Sequence, residues 1–284
     1  MGLYDYRRYL ASERACLQLV RQIRWPRGVH CPRCEHRRIW KTHERGLRKY
    51  FCARCRRKFS DTSGTLFEKT RTPLSKWVLA IGLWKLGCSA KTLQTEVGVT
   101  YKTAWVMLHV MRRAVIDDTL FRKLSGHVEV DETYFGGRRK GKRGRGAAGK
   151  TVVLGLRQRG GRVKTLVVPD LKAATFRRLI QQHVRRGSTI YTDGFWDHVA
   201  LVGYAHHIID HTKRFVMDRL RHTQAVESVW AHTKPDLKAR HHAISPRYLH
   251  EYLAERDFMF NHRQHPDLTR LVLEKLLAQY PLRG

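Results

Sequence analysis

Acidic residues are scarce in this 284-residue chain: 24 Asp and Glu stand against 56 Lys and Arg, a formal net charge of +32. Such a surplus repels itself within a folded body unless a polyanion neutralises it, so nucleic acid is the expected partner. Long apolar runs are missing too. The longest, Trp77–Trp84, holds eight residues, against roughly 20 for a membrane-crossing helix. No membrane partner is therefore expected. The opening MGLYDYRRYLASERAC has none of the apolar core of a signal peptide. A cytoplasmic protein is expected, in a compartment where disulfides are rare. Internal repeats are absent. Apolar residues make up 42% of the chain, enough to fill a core and to exclude wholesale disorder.

The positive charge is uneven. Residues 1–60 carry 17 Lys and Arg against four acids. A second run, RRKGKRGRGAAGK at 138–150, holds seven Lys and Arg, four Gly and no acid. Glycine at that density sustains neither helix nor strand, which predicts a basic loop whose Arg138, Arg139 and Lys140 contact DNA backbone, with a merely solvated loop as the alternative. Helical periodicity fills 74–117, and strand-like alternation begins at His127 and returns at 151–158 and 162–168. The RGG turn at 159–161 joins the last two as a hairpin. A helix near 172–186, strands at 188–193 and 205–210, and helices at about 223–233 and 246–262 follow. The expected organisation is an N-terminal helix and cysteine-bearing head at 1–68, a helical region at 69–119 and an α/β domain at 120–284.

Four of the six cysteines form two C-x2-C pairs, Cys31/Cys34 and Cys52/Cys55, with 17 residues between them. Two such knuckles bring four thiolates together tetrahedrally, which is what a structural Zn2+ site requires. The intervening RRIWKTHERGLRKYF, with Gly46 at the tip, reads as the strand pair of a zinc ribbon. Redox chemistry would need one such pair beside a βαβ unit. Cys16 and Cys88 have no partner spacing and read as ordinary buried thiols.

Within the helical region, a Ser89 or Thr92 start, apolar Leu93 and Val97, Gly98 at a turn and Thr100 opening a longer helix match a helix-turn-helix. Tyr101, Lys102 and Thr103 would then meet base edges or phosphates. An ordinary helical hairpin packed through Trp105, Leu108 and Met111 is the alternative.

Strand alternation in GHVEVDETYFGG turns Val128 and Val130 to one face and His127, Glu129 and Asp131 to the other. Asp193 ends the strand STIYTDG, with Gly194 leaving room for close approach. Glu227, in TQAVESVWAHTK, shares a helix face with Trp230 or Ala231 and with Lys234. Three acids from two strand ends and a helix can converge on a pair of Mg2+ ions, which prefer hard oxygen ligands. Glu129 and Glu132 compete with Asp131 for that role, as do Asp197 and Asp210 with Asp193. The histidines His206, His207, His211, His241 and His242 read as packing or DNA-facing residues, since Mg2+ avoids imidazole.

Residues 5–262 resemble the zinc-ribbon DDE transposases of bacterial insertion sequences. The resemblance runs through CPRC…FCARCRRKFSDTSGTLFEKTRTPLSKWVLAI, KTAWVMLHVMRRA, HVEVDETYFGG, VVLG, YTDG, VESVWAHTKPDLKARHH and SPRYLHEYLAERDFMFNHR, in that order. It implies an α/β, RNase H-like catalytic domain, with a mixed five-stranded sheet flanked by helices, preceded by a small zinc ribbon and a helix-turn-helix. It also implies Mg2+-dependent cutting at element ends and attack of the freed 3′-OH on target DNA. Asp131, Asp193 and Glu227 stand at the catalytic positions, and Lys234 at that of a DNA-contacting basic residue. Double-stranded DNA, both element ends and target, is the implied partner. At least a homodimer on DNA is expected, because strand transfer holds two ends together. Two departures from the pattern stand out. Gln224 replaces a common Asn one turn before Glu227, which bears on a hydrogen bond around the metal ligands. Pro235 follows Lys234 and is expected to leave it at a helix end or kink. A DNA-binding regulator descended from a transposase, without cleavage activity, is the rival reading, and a structure-selective nuclease of similar fold is a third.

Overall fold

Ser12 opens the first long helix by accepting the Ala15 N–H on its hydroxyl, 3.3 Å away. The computed structural model describes residues 2–44, 47–120, 122–136, 149–209, 223–241 and 244–278, with backbone only at 44, 47 and 117–120. Arg138, Arg139 and Lys140 therefore lie outside the described residues, as do Gly46, Asp210, His211 and His242. The chain divides into two units: Met1–Ala114 together with Gln264–Gly284, and Val115–Arg263.

In the first unit, a short helix α1 (Arg7–Leu10) precedes α2 (Glu13–Arg24), which buries Cys16, Leu19 and Val20 at helical spacing. Strands β1 (Ile39–Glu44), β2 (Leu47–Cys52) and β3 (Lys58–Phe59) form an antiparallel sheet in that order. Trp25, Tyr50 and Phe59 pack with Cys31 and Cys52 behind it. Helices α3 (Leu74–Lys85), α4 (Ala90–Val97) and α5 (Tyr101–Leu120) follow. Pro73 cannot cap α3 with its side chain. Glu13 does so instead, its carboxylate accepting the Leu74 and Ser75 N–H groups at 2.7 and 3.1 Å.

The second unit is a five-stranded sheet of β4 (His127–Phe135), β5 (Thr151–Gln158), β6 (Val163–Val168), β7 (Thr189–Asp193) and β8 (Ala205–Ile209). Their spatial order is β6-β5-β4-β7-β8. The first three strands form an antiparallel meander, while β7 runs parallel to β4 and β8 parallel to β7. Gly160, at φ +65°, turns the expected hairpin between β5 and β6. This is the expected RNase H-like mixed sheet. One face carries Val128, Val130, Leu154 and Leu156 against α6 (Ala173–His183) through Phe176 and Ile180. The other carries Val153 against Val226, Trp230 and Leu237 of α7 (Gln224–Arg240) and Leu253 of α8 (Leu249–Asn261). Helix α8 also closes the edge of β6. Asn261 accepts the Val163 N–H and donates to its carbonyl, and Asp257 accepts the Thr165 N–H at 2.7 Å. An edge strand so occupied cannot recruit a neighbouring chain there.

The final helix, α9 (Leu268–Leu277), belongs to the first unit. Leu276 O accepts the Leu66 N–H, and the Asp267 carboxylate accepts the Tyr6 hydroxyl at 2.8 Å.

Candidate functional site

Asp131 and Asp193 are brought together by strand register. The parallel ladder pairs His127 with Thr189, Val128 with Ile190 and Glu129 with Tyr191. Each aspartate lies two residues past the last of these pairs, so their 62-residue separation is the register of the two strands. Adjacent strands lie about 4.8 Å apart and paired residues share a face. Both acids therefore emerge side by side, on the α7 face, where the strands part. The two charges feel one another. Burial lifts the Asp131 carboxyl to about 6, and the Glu132 and Asp193 charges add to the rise against the opposing Trp230 hydrogen bond. Asp193 also accepts the Phe195 N–H at 3.2 Å, opening the short 3-10 turn that follows β7. A Cβ on Gly194 would meet nothing within 4 Å.

Helix α7 is fixed over β4, the strand of Asp131, from its first turn. Glu129, fully buried on β4, accepts the Ala225 and Val226 N–H groups at 2.8 and 3.1 Å and the Arg159 guanidinium at 2.7 Å. A carboxylate at a helix N-terminus satisfies orphan donors and the positive end of the dipole together. Glu129 therefore has a structural task, which separates it from Asp131. Glu227 is exposed in the first turn, its Oε1 accepting the Thr223 hydroxyl at 2.7 Å. Gln224 is the exposed first residue of the helix.

One turn beyond Glu227, the indole N–H of Trp230 donates to Asp131 Oδ2 at 2.9 Å. The ring lies over Gly155, the residue paired with Asp131 across β4 and β5. A Cβ there would fall 2.3 Å from Trp230 Cζ2. The glycine thus makes room for the tryptophan, and the tryptophan holds one oxygen of Asp131. Only a glycine interrupting an apolar strand signalled this from the sequence.

Lys234 stands one further turn along. The expectation that Pro235 leaves it at a helix end is corrected, because α7 runs unbroken to Arg240. An interior proline forfeits a hydrogen bond and costs about 3 kcal/mol. Here Trp230 and Leu237 are anchored in the core on either side, and Asp236 pairs with Arg240 and with Arg256 of α8. The Lys234 ammonium lies 5.8 Å from the Phe135 ring centre. Partial desolvation lowers its pKa, with the Asp131 charge opposing and Lys150 reinforcing.

The other acids are engaged or remote. Glu132 accepts the Trp196 indole at 3.3 Å on the opposite face, and Asp197 is exposed beside His198. His206 bonds Thr192, His207 stacks on Tyr191, and His241 meets Tyr252 edge-on. Among the described residues, the one group of three or more metal-ligand side chains whose donor atoms all lie within 4.8 Å of one another is cysteine, so the three acids do not close to that distance.

That group is Cys31, Cys34, Cys52 and Cys55. The Sγ atoms of Cys31 and Cys55 are 3.5 Å apart, and those of Cys34 and Cys52 are 3.6 Å apart. Zinc bonded to sulfur at about 2.3 Å has tetrahedral edges of about 3.8 Å, so the set fits Zn2+. The knuckles are built alike. The Cys31 and Cys52 carbonyl oxygens accept the Glu35 and Arg56 N–H groups at 2.9 and 3.0 Å, and those two residues have φ of 57° and 58°. Cys16 and Cys88 are buried elsewhere.

Ser89 caps α4, Gly98 ends it in the left-handed region at φ 63°, and the Thr100 hydroxyl accepts the Thr103 N–H at 3.2 Å. Tyr101 and Lys102 are exposed, while Thr103 is half-buried against Thr100. Leu108 and Met111 are buried.

Residues 123–261 match the family described as ISXO2-like transposase domain, and residues 11–58 the transposase zinc-ribbon domain. The chain is 36% identical over 204 residues to an uncharacterized protein in transposable element ISH50 of Halobacterium salinarum, covering 65% of this chain and 68% of that one. It is 28% identical over 105 residues to an uncharacterized transposase-like protein of Haemophilus influenzae, covering 36% of this chain and 84% of the relative. A chain in the crystal structure of the Mos1 strand transfer complex is similar over 70% of this chain and 73% of its own length, at 13% identity and a TM-score of 0.29. The two family matches define a transposase of the DDE class with a zinc ribbon. The chain belongs to the ISXO2-like, zinc-ribbon transposases of insertion sequences. Among the described residues, no helix is long and apolar enough to cross a membrane.

Proposed function

We propose that this transposase cuts phosphodiester bonds at the ends of its insertion sequence and joins the freed 3′-OH to target DNA. The observation that carries this reading is the register that sets Asp131 beside Asp193 under helix α7, which bears Glu227. These three carboxylates would hold two Mg2+ ions, which when bound supply an activated attacking oxygen and stabilise the leaving oxygen of the phosphodiester. The donor set fits: all oxygen, with one Asp131 oxygen held by Trp230. Trp230 orients the carboxylate, Glu129 fixes the helix that brings Glu227, and Lys234 offers a positive charge near Asp131 to a backbone phosphate. Regions 1–68 and 69–119 recognise the element ends, with Tyr101, Lys102 and Thr103 at the reading helix. Arg138, Arg139 and Lys140 add backbone contacts, and residues 120–284 carry the chemistry. The protein works in the cytoplasm on double-stranded DNA, as a dimer or larger assembly that holds two ends.

The test is incubation with Mg2+ and labelled duplex carrying the flanks of the gene, beside Asp131→Ala. Cuts at the element boundary are expected from the native chain and none from the variant, with DNA binding retained in both. Cutting by the variant would overturn the assignment of Asp131. Binding without any cut by either would overturn the enzyme reading in favour of a DNA-binding regulator.

A further inference from the structure

A cavity of about 690 Å3 lies between α2 and the ribbon strands, wholly within the first unit. That size is ordinary for a ligand site. Its walls are cationic. Arg14 and Arg21 come from α2, and Arg48 and Lys49 from β2. Arg14, Arg48 and Lys49 make no hydrogen bond or ion pair among the described residues. The acids that line it are mostly turned elsewhere. Both oxygens of Glu13 hold the first N–H groups of α3. Asp61 is buried and accepts the Tyr50 hydroxyl at 2.8 Å and the Trp25 indole at 3.1 Å. Glu68 lies within the field of Arg24. Arg21 is engaged with Tyr50, but with Arg14, Arg48 and Lys49 unpaired among the described residues the four cations outnumber the three carboxylates of the lining, which favours an anion inside.

We infer that this cavity binds the phosphodiester backbone of DNA, a contact separate from the helix α5 residues and the acid site. It rests on the reading that the chain acts on DNA. Two features favour a polymer backbone over a free nucleotide. Among the described residues the one ring that lines the cavity is the His43 imidazole, with no Phe, Tyr or Trp, so a base finds little on which to stack. Arg14 and Arg21 are separated by two helical turns, roughly 10.5 Å of axis, which spreads charge along the wall rather than focusing it on one phosphate. Contacts of this kind position the protein on the duplex without reading sequence.

The experiment measures equilibrium binding of the full chain to a random-sequence 30-base-pair duplex over a series of salt concentrations. Three proteins are compared: the native chain, Arg14→Gln/Arg48→Gln, and a control, Arg177→Gln/Arg178→Gln, which removes the same charge from exposed positions of α6. Each phosphate contact contributes about 0.9 to the slope of log K against log salt. The groove variant is expected to lose about 1.8 from that slope, and the control to keep the native slope. Zinc content and circular dichroism confirm that both variants fold, and neither Arg14 nor Arg48 has a partner to lose among the described residues. Equal slopes for groove variant and control would overturn the inference while leaving the DNA reading intact. Failure of the native chain to bind duplex at low salt would overturn both. A second arm measures thermal stabilisation by millimolar inorganic phosphate and by dAMP. Stabilisation of the native chain but not the groove variant, with unchanged duplex slopes, would reassign the site to a free phosphate ligand.

Discussion

Trp230 lies across Gly155 so closely that a Cβ on the glycine would fall 2.3 Å from Cζ2 and 2.9 Å from Cη2 of the indole. The same indole donates to Asp131, the strand neighbour of Gly155. Gly155→Ala is therefore expected to push the ring off the sheet and release Asp131. Overpacking of this kind costs about 1–3 kcal/mol, read as a lower urea midpoint. Stabilisation of the protein by added Ca2+ or Mn2+ should weaken as well. Trp230→Phe keeps the packing and loses the donor. It should reproduce the metal effect with a smaller loss of stability.

Glu129 makes a different prediction. Its carboxylate is fully buried among two helix N–H groups and Arg159. Removing one partner of a buried charge pair typically costs about 3–5 kcal/mol, so Glu129→Ala should lower the urea midpoint by that equivalent. Asp197→Ala, at an exposed rival acid, should leave both stability and DNA cutting unchanged.

The raised Asp131 pKa gives a pH dependence of definite sign. Between the unfolded carboxylate value near 4 and the folded value of about 6, the folded chain holds more proton than the unfolded chain. Its contribution to stability therefore falls as pH rises through that window. Metal-free Asp131→Asn should match the native chain near pH 4 and exceed it above pH 6, by up to about 3 kcal/mol. Thermal melts across pH 4–8 check this, and added divalent ion should narrow the gap.

Zinc is expected at one ion per chain, measured by release to a chromogenic chelator. Cys52→Ser should abolish it, because all four thiolates complete the tetrahedron. Cys16→Ser should retain it, since that thiol bonds the Tyr9 carbonyl instead.

Much of this architecture was legible from patterns of fixed period. Alternation marked β4, β5 and β6, the C-x2-C pairs marked the ribbon, and Asp193 stood at a strand end. Asp131, expected near the end of its strand, lies instead at the middle of β4, because that strand runs on to Phe135 along β5 after its pairing with β7 stops. What escaped depends on contacts between distant segments. Glu129 reads as a rival ligand until α7 is seen to rest on it. Pro235 reads as a helix terminator until burial of Trp230 and Leu237 outweighs its missing hydrogen bond. Helix α9 was not expected at all, and nothing in its own residues says that it packs with the N-terminal unit. The cationic cavity joins residues from α2 and β2 that are unremarkable one by one in so basic a chain.

The most direct test of the central claim replaces each acid by a softer ligand. Asp131→Cys, Asp193→Cys and Glu227→Cys would be assayed for joining a pre-nicked element end to target DNA, in Mg2+ and in Mn2+. A thiolate binds Mg2+ poorly and accepts softer ions more readily. Residues that hold the metals should show joining that is lost in Mg2+ and regained in Mn2+ at all three positions. Undiminished joining in Mg2+ by any of the three would contradict the role assigned to that residue, and undiminished joining at both Asp131 and Asp193 would contradict the site itself.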